Sequence, residues 1–135
     1  MMLGRRIRRD EKGIGSVEFA LVTPALVALV AGTVQMGLLF YTKADMRHAV
    51  AAGARAASVF PRPSDTAIIG KIKADAAGLK QSQITTLTVT PGKDANDRDY
   101  WEIEMGYKVP LDFVLYRLGD VTLTEKRRVF VQPAS

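Results

Sequence analysis

The sequence predicts an α+β protein, a long N-terminal membrane-spanning helix packed at its outer half against a small head with one helix and a three-stranded antiparallel sheet. Three observations lead there. Residues 19–41 form an uncharged run of 23 residues, and apolar and small residues at helical spacing carry on to about residue 60. Beyond Pro61 and Pro63, one short helical pattern gives way to three segments in which apolar and polar residues alternate. The chain divides accordingly into a basic leader at 1–13, the long helix at 14–60 and the head at 61–135. A head of this size, under about 80 residues, needs the helix as part of its core.

The leader carries Arg5, Arg6, Arg8, Arg9 and Lys12 against Asp10 and Glu11, a net +3 of the whole chain's +5. A nucleic-acid-binding fold would keep its basic charge on the folded surface, so no nucleic-acid partner is expected. The chain has no cysteine, which excludes disulfides, thiolate nucleophiles and Cys-ligated metals.

As a helix, the uncharged run would be about 34 Å long, enough to cross a hydrocarbon core of roughly 30 Å. A domain this small cannot wrap a helix that is apolar on every side, so the run is expected in lipid. The basic residues before it outweigh Lys43, Arg47 and Arg55 after it, which places the N-terminus in the cytoplasm and the head outside. Pro24 falls inside the run and favours a kink.

Glu18 stands at the mouth of the run, with Gly13-Ile14-Gly15-Ser16-Val17 before it and Phe19 after it. An ionisable group in a membrane segment points to function, whereas a carboxylate at a helix start in the headgroup region needs none. Spacing alone leaves these two readings level.

The helix is expected to continue past the membrane, with Met46, Ala49, Val50, Gly53, Ala57 and Phe60 on one stripe, to a total of about 69 Å. Ala49, Gly53 and Ala57 recur at every fourth position, and Ala28 with Gly32 repeats the spacing in the membrane. Such spacing lets helix backbones approach closely. Either the protein's own sheet or a second subunit would fill the strip.

In the head, Ser64-Asp65 caps a helix with Ile68, Ile69, Ile72, Ala76 and Leu79 on one face, ending near Gly78–Gln81. Leu87 and Val89 alternate with threonines in a first strand. Trp101, Ile103, Met105, Tyr107 and Val109 alternate with polar residues in a second, over Tyr100–Val109. The third spans about Val121–Val131, with the alternation broken, as by a bulge, around Glu125–Arg128. Pro91–Asp99 reads as a polar hairpin loop.

Enzymatic chemistry has little support. An EF-hand begun at Asp94 would put Arg98 at a ligand position and Met105 in place of the bidentate glutamate. His48 is the only histidine and makes no zinc set. Glu102 and Glu104 lie two apart on a strand, as on a wet surface, and Lys126-Arg127-Arg128 cannot form one patch because consecutive strand residues face opposite ways. No metal or cofactor is expected.

Gly13, four uncharged residues, Glu18, Phe19 and a long apolar helix resemble the processing site of type IV prepilins. More narrowly, "SVEFALVTPALVAL" followed by "QMGLLFYTKADMRHAVAAGARAAS" resembles the TadE-like family, minor pilins or pseudopilins of the Flp/Tad pilus system; the likeness covers roughly residues 5–60. The resemblance implies cleavage by a prepilin peptidase after Gly13, so that Ile14 becomes the first residue and Glu18 the fifth. Many type IV pilins begin their mature chain with Phe or Met, whereas this one would begin with Ile14; Gly15 offers a second glycine, but cutting there would leave Glu18 third, so Gly13 is the better match.

The resemblance further implies that Glu18 pairs with the new amine of Ile14 on a neighbouring subunit. The partners it brings are the peptidase, other pilin subunits, pilus assembly proteins and inner-membrane lipid, and the location is the bacterial inner membrane or the pilus itself. Three rivals stand beside this reading: an uncleaved single-pass scaffold, a secreted binding protein cut at a site such as Ala49-Val50-Ala51, and, last, an enzyme. An apolar run of 23 residues exceeds the 7–15 of a usual signal-peptide core.

Overall fold

The computed structural model of the chain describes residues 12–59, 61–112 and 117–131. Most of the basic leader and Phe60 of the apolar stripe lie outside the described residues.

A single helix, α1, runs from Lys12 to Ala57, 46 residues and about 69 Å at 1.5 Å per residue. Pro24 is accommodated within it. Thr23 and Thr33 turn their hydroxyls back to the carbonyls of Phe19 and Leu29, at 2.6 and 2.9 Å, so neither presents an unsatisfied polar group along the apolar stretch. At the far end Ser58 closes the helix, its N–H and hydroxyl both reaching the carbonyl of Arg55 before the prolines forbid continuation.

The head begins beyond the end of α1. Helix α2, Asp65–Asp75, starts at Ser64, whose hydroxyl accepts from the N–H of Ala67 at 3.2 Å. It buries Ile68 and Ile72, half-buries Ile69, and ends a turn earlier than the sequence pattern suggests. A turn closed by the N–H of Leu79 on the carbonyl of Ala76 still delivers Ala76 and Leu79 to the core.

Three strands follow a short 3-10 turn: β1 (Ile84–Lys93), β2 (Asp99–Asp112) and β3 (Arg117–Phe130). They form one antiparallel sheet in the order β1-β2-β3. Two expectations are corrected here. Pro91, Gly92 and Lys93 belong to β1 rather than to the hairpin loop, paired with Trp101, Tyr100 and Asp99. A proline is tolerated there because β1 is an edge strand. The pairing of β3 is regular through Glu125–Arg128, and the irregularities fall instead between Ile84 and Thr86 and between Leu111 and Asp112.

The second layer is formed by α1 and α2 on one face of the sheet. Trp101, Ile103, Met105, Tyr107 and Val109, alternate residues of β2, are buried against Met46, Val50, Ile68 and Ile72 in a single core. On the opposite face Glu102 and Glu104 oppose Arg128 and Lys126. Their ion pairs, Arg128 to Glu102 at 2.7 Å and Lys126 to Glu102 at 3.1 Å, make this face a wet surface. Hydrogen bonds from Arg128 and then Lys126 hold the Glu102 carboxyl below its ordinary range.

The strip of small residues meets α2. Ala49 and Ala57 are buried, and a Cβ on Gly53 would meet Ile72 Cγ1 in hard collision and Ile72 Cδ1 at 2.7 Å. The sequence reading offered the protein's own sheet or a second subunit; the backbone of α1 is instead approached by a helix, which the missing side chain of Gly53 permits.

Candidate functional site

The two halves of α1 differ in what surrounds them. From Ala49 to Ala57 the inward residues are covered by the head. Below Thr42 the large apolar residues other than Leu39 stand open, Phe19 at 72%, Leu21 at 74% and Phe40 at 69% exposure. The helix is long and apolar enough to cross a membrane, and its apolar window has none of its residues buried within the chain. Exposing so many contiguous apolar side chains to water would be unfavourable by about 25 cal/mol for every Å². An uncovered apolar helix of this length is consistent with membrane anchoring.

At the beginning of this open stretch, Gly13, Ile14, Glu18 and Phe19 all lie in the first turns of α1. Glu18 is exposed, and Ile14 precedes it by four residues, about 6 Å along the axis of α1. Ala28 is also exposed, and a Cβ on Gly32 would meet nothing within 4 Å. Among the described residues no other element covers this lower pair, in contrast to Ala49, Gly53 and Ala57.

The end of the stretch is fixed by charge. Leu39 is already half-buried against the core, and one turn on the ammonium of Lys43 meets Glu125 at 2.7 Å and donates to the carbonyl of Thr124. Arg47 approaches the same carboxylate at 3.6 Å. This brace ties the edge strand of the head to the helix where the apolar run ends. Sequence reasoning missed it, although Glu125, a charge where the alternation of β3 calls for an apolar residue, was its signal.

The remaining candidates are spread out. His48 is exposed on α1. In the hairpin loop, Asp94 accepts from the N–H groups of Asn96 and Arg98 at 2.8 and 3.0 Å and from Arg98 Nε at 2.9 Å. Those bonds, the Arg98 N–H first, hold the Asp94 carboxyl below its ordinary range, so the loop is closed by its own side chains.

Residues 13–55 match the family model described as TadE-like protein. The match begins at Gly13 and spans nearly all of α1, inside the roughly 5–60 stretch that carries the resemblance. No curated protein and no solved structure matches the chain.

Proposed function

We propose that this chain is a minor pilin or pseudopilin of a Tad-type pilus, cut by a prepilin peptidase after Gly13 and held in the inner membrane by the lower half of α1 until it joins the assembly. The observation that carries this reading is the combination of an uncovered apolar helix with one carboxylate, Glu18, at its mouth. The TadE-like match over 13–55 supports association with a Tad pilus.

The chemistry runs as follows. Hydrolysis of the Gly13–Ile14 peptide bond leaves an α-amine on Ile14, cationic at neutral pH. Within lipid an unpaired carboxylate is costly, so Glu18 favours the arrangement that brings it a cation. The amine of a neighbouring subunit is such a cation, and the pairing fixes the axial register of the two helices. Ala28 and Gly32 offer the close approach that side-by-side helices in lipid use. The head, braced to α1 by Lys43 and Glu125, is carried outside the membrane at a set height.

Glu18→Ala tests the assembly step. The variant is expected to insert and to be cleaved like the parent but to be depleted from sheared pili by tenfold or more. Incorporation at the parental level would refute the role given to Glu18.

A further inference from the structure

The basic side chains along β3 and its helix neighbour differ in how they are satisfied. Lys43, Arg47, Lys126 and Arg128 all pair with carboxylates of the head. Arg55 and Arg127 have no ion-pair partner among the described residues, and they face the same crevice of about 360 Å³ between α1 and β3. Ala51, Ala54, Ser58, Val129 and Arg128, the last already paired with Glu102, line the rest of it.

The crevice borders an unpaired sheet edge. The N–H of Val131 donates to the carbonyl of Asp99, so odd-numbered residues of this strand direct their backbone groups to β2. The carbonyl of Thr124 instead receives the ammonium of Lys43, as an outward-facing group must. The N–H and C=O groups of Lys126, Arg128 and Phe130 therefore point away from β2, along the open edge. A strand laid there would extend the sheet and turn every second side chain toward α1 and the two free guanidinium groups.

The occupant is constrained by charge. A second copy paired edge to edge through β3 would set Lys126, Arg127 and Arg128 against their own kind. Nor does this sheet have a spare acidic strand, since Glu102 and Glu104 of central β2 are already paired with Lys126 and Arg128. We propose that the open edge of β3 and the Arg55–Arg127 crevice form a docking site for an extended acidic segment of a different polypeptide. That segment adds as a fourth strand, hydrogen-bonded to Lys126, Arg128 and Phe130, and sets carboxylates against Arg55 and Arg127. The surface lies between the upper end of α1 and β3, away from the cleavage site, and is the same whether the chain is cleaved or stays an intact anchor.

The test uses the full chain in non-ionic detergent micelles and a fluorescent peptide alternating glutamate with valine, with the lysine–valine peptide as control. Saturable binding of the acidic peptide only is expected, with slowed hydrogen exchange at the amides of Lys126, Arg128 and Phe130. Arg55→Glu with Arg127→Glu should weaken binding about tenfold or more, because attraction becomes repulsion. Arg128→Pro, which removes an edge N–H that the β2 pairing does not use, should also weaken it, with Trp101 fluorescence confirming that both variants fold. Equal binding of the two peptides, binding without slowed exchange at those three amides, or indifference to the charge reversal would each overturn the proposal.

Discussion

Replacing Gly53 by alanine puts two effects of opposite sign at one atom. Alanine is favoured over glycine in a helix interior by about 1 kcal/mol. Against that, the new methyl would collide with Cγ1 of Ile72 and stand 2.7 Å from its Cδ1, with Ile68 Cγ2 at 3.7 Å. Ile72 is fully buried and stiff at χ1, so it cannot swing clear. Overpacking of this kind costs about 1–3 kcal/mol, which leaves Gly53→Ala destabilising by up to about 2 kcal/mol.

Removing the obstacle should reverse the sign. Ile72→Ala alone opens a cavity and costs about 2–5 kcal/mol. In that background the Gly53 methyl enters vacated space, and Gly53→Ala should stabilise by about the 1 kcal/mol of its helix propensity. The double-mutant cycle thus predicts a coupling of about 1–3 kcal/mol, within the range of contacting residues. Urea denaturation in non-ionic detergent, followed by the fluorescence of Trp101, the only tryptophan and nearly buried, reads each free energy. If Gly53→Ala stabilises equally in both backgrounds, the close approach of α2 to α1 is refuted.

Two further substitutions probe the head. Tyr107→Phe removes a hydroxyl that donates to Gln83 Oε1 at 2.6 Å and accepts from the N–H of Lys80 at 3.1 Å, and should cost about 1–3 kcal/mol in the same denaturation assay. The Glu102 carboxyl is held below its ordinary range by Arg128 and Lys126, so its contribution is present above the unfolded-state pKa and is lost as pH falls through the folded one. Glu102→Gln should therefore unfold more easily than the parent near neutral pH, with the gap closing in acid; a gap that does not change with pH would mean the charge contributes nothing.

The parts of the fold legible in the sequence are those where one local signal and the core agree. Ser64 caps α2, the face of Ile68 and Ile72 is buried, and every second residue from Trp101 to Val109 enters the core. The illegible parts depend on neighbours. Pro91 reads as a turn until the strand is known to lie at an edge, where its missing N–H costs no ladder bond. Glu125 reads as part of a bulge because its reason lies about eighty residues earlier in Lys43, which satisfies it on the helix-facing side.

The candidate site divides in the same way. The apolar run and Glu18 can be read directly, since a membrane segment is defined by its own composition. The fate of the small residues could not be read. Ala28, Gly32, Ala49, Gly53 and Ala57 share one spacing, yet Gly53 is approached by Ile72 of α2 and Gly32 by nothing among the described residues. Spacing records that backbones can approach; only the position of α2 decides where they do.

The central claim, that the chain is a processed pilin-like subunit, is tested most directly by its N-terminus. The full chain should be made with and without its prepilin peptidase, separated into membrane and soluble fractions, and sequenced from the first residue. The account predicts a start at Ile14 only where the peptidase is present, with the apolar helix retained in the membrane fraction. An unchanged Met1 in the presence of active peptidase would contradict it and leave an uncleaved anchor, and a soluble product starting near residue 52 would remove the membrane helix from the mature protein altogether.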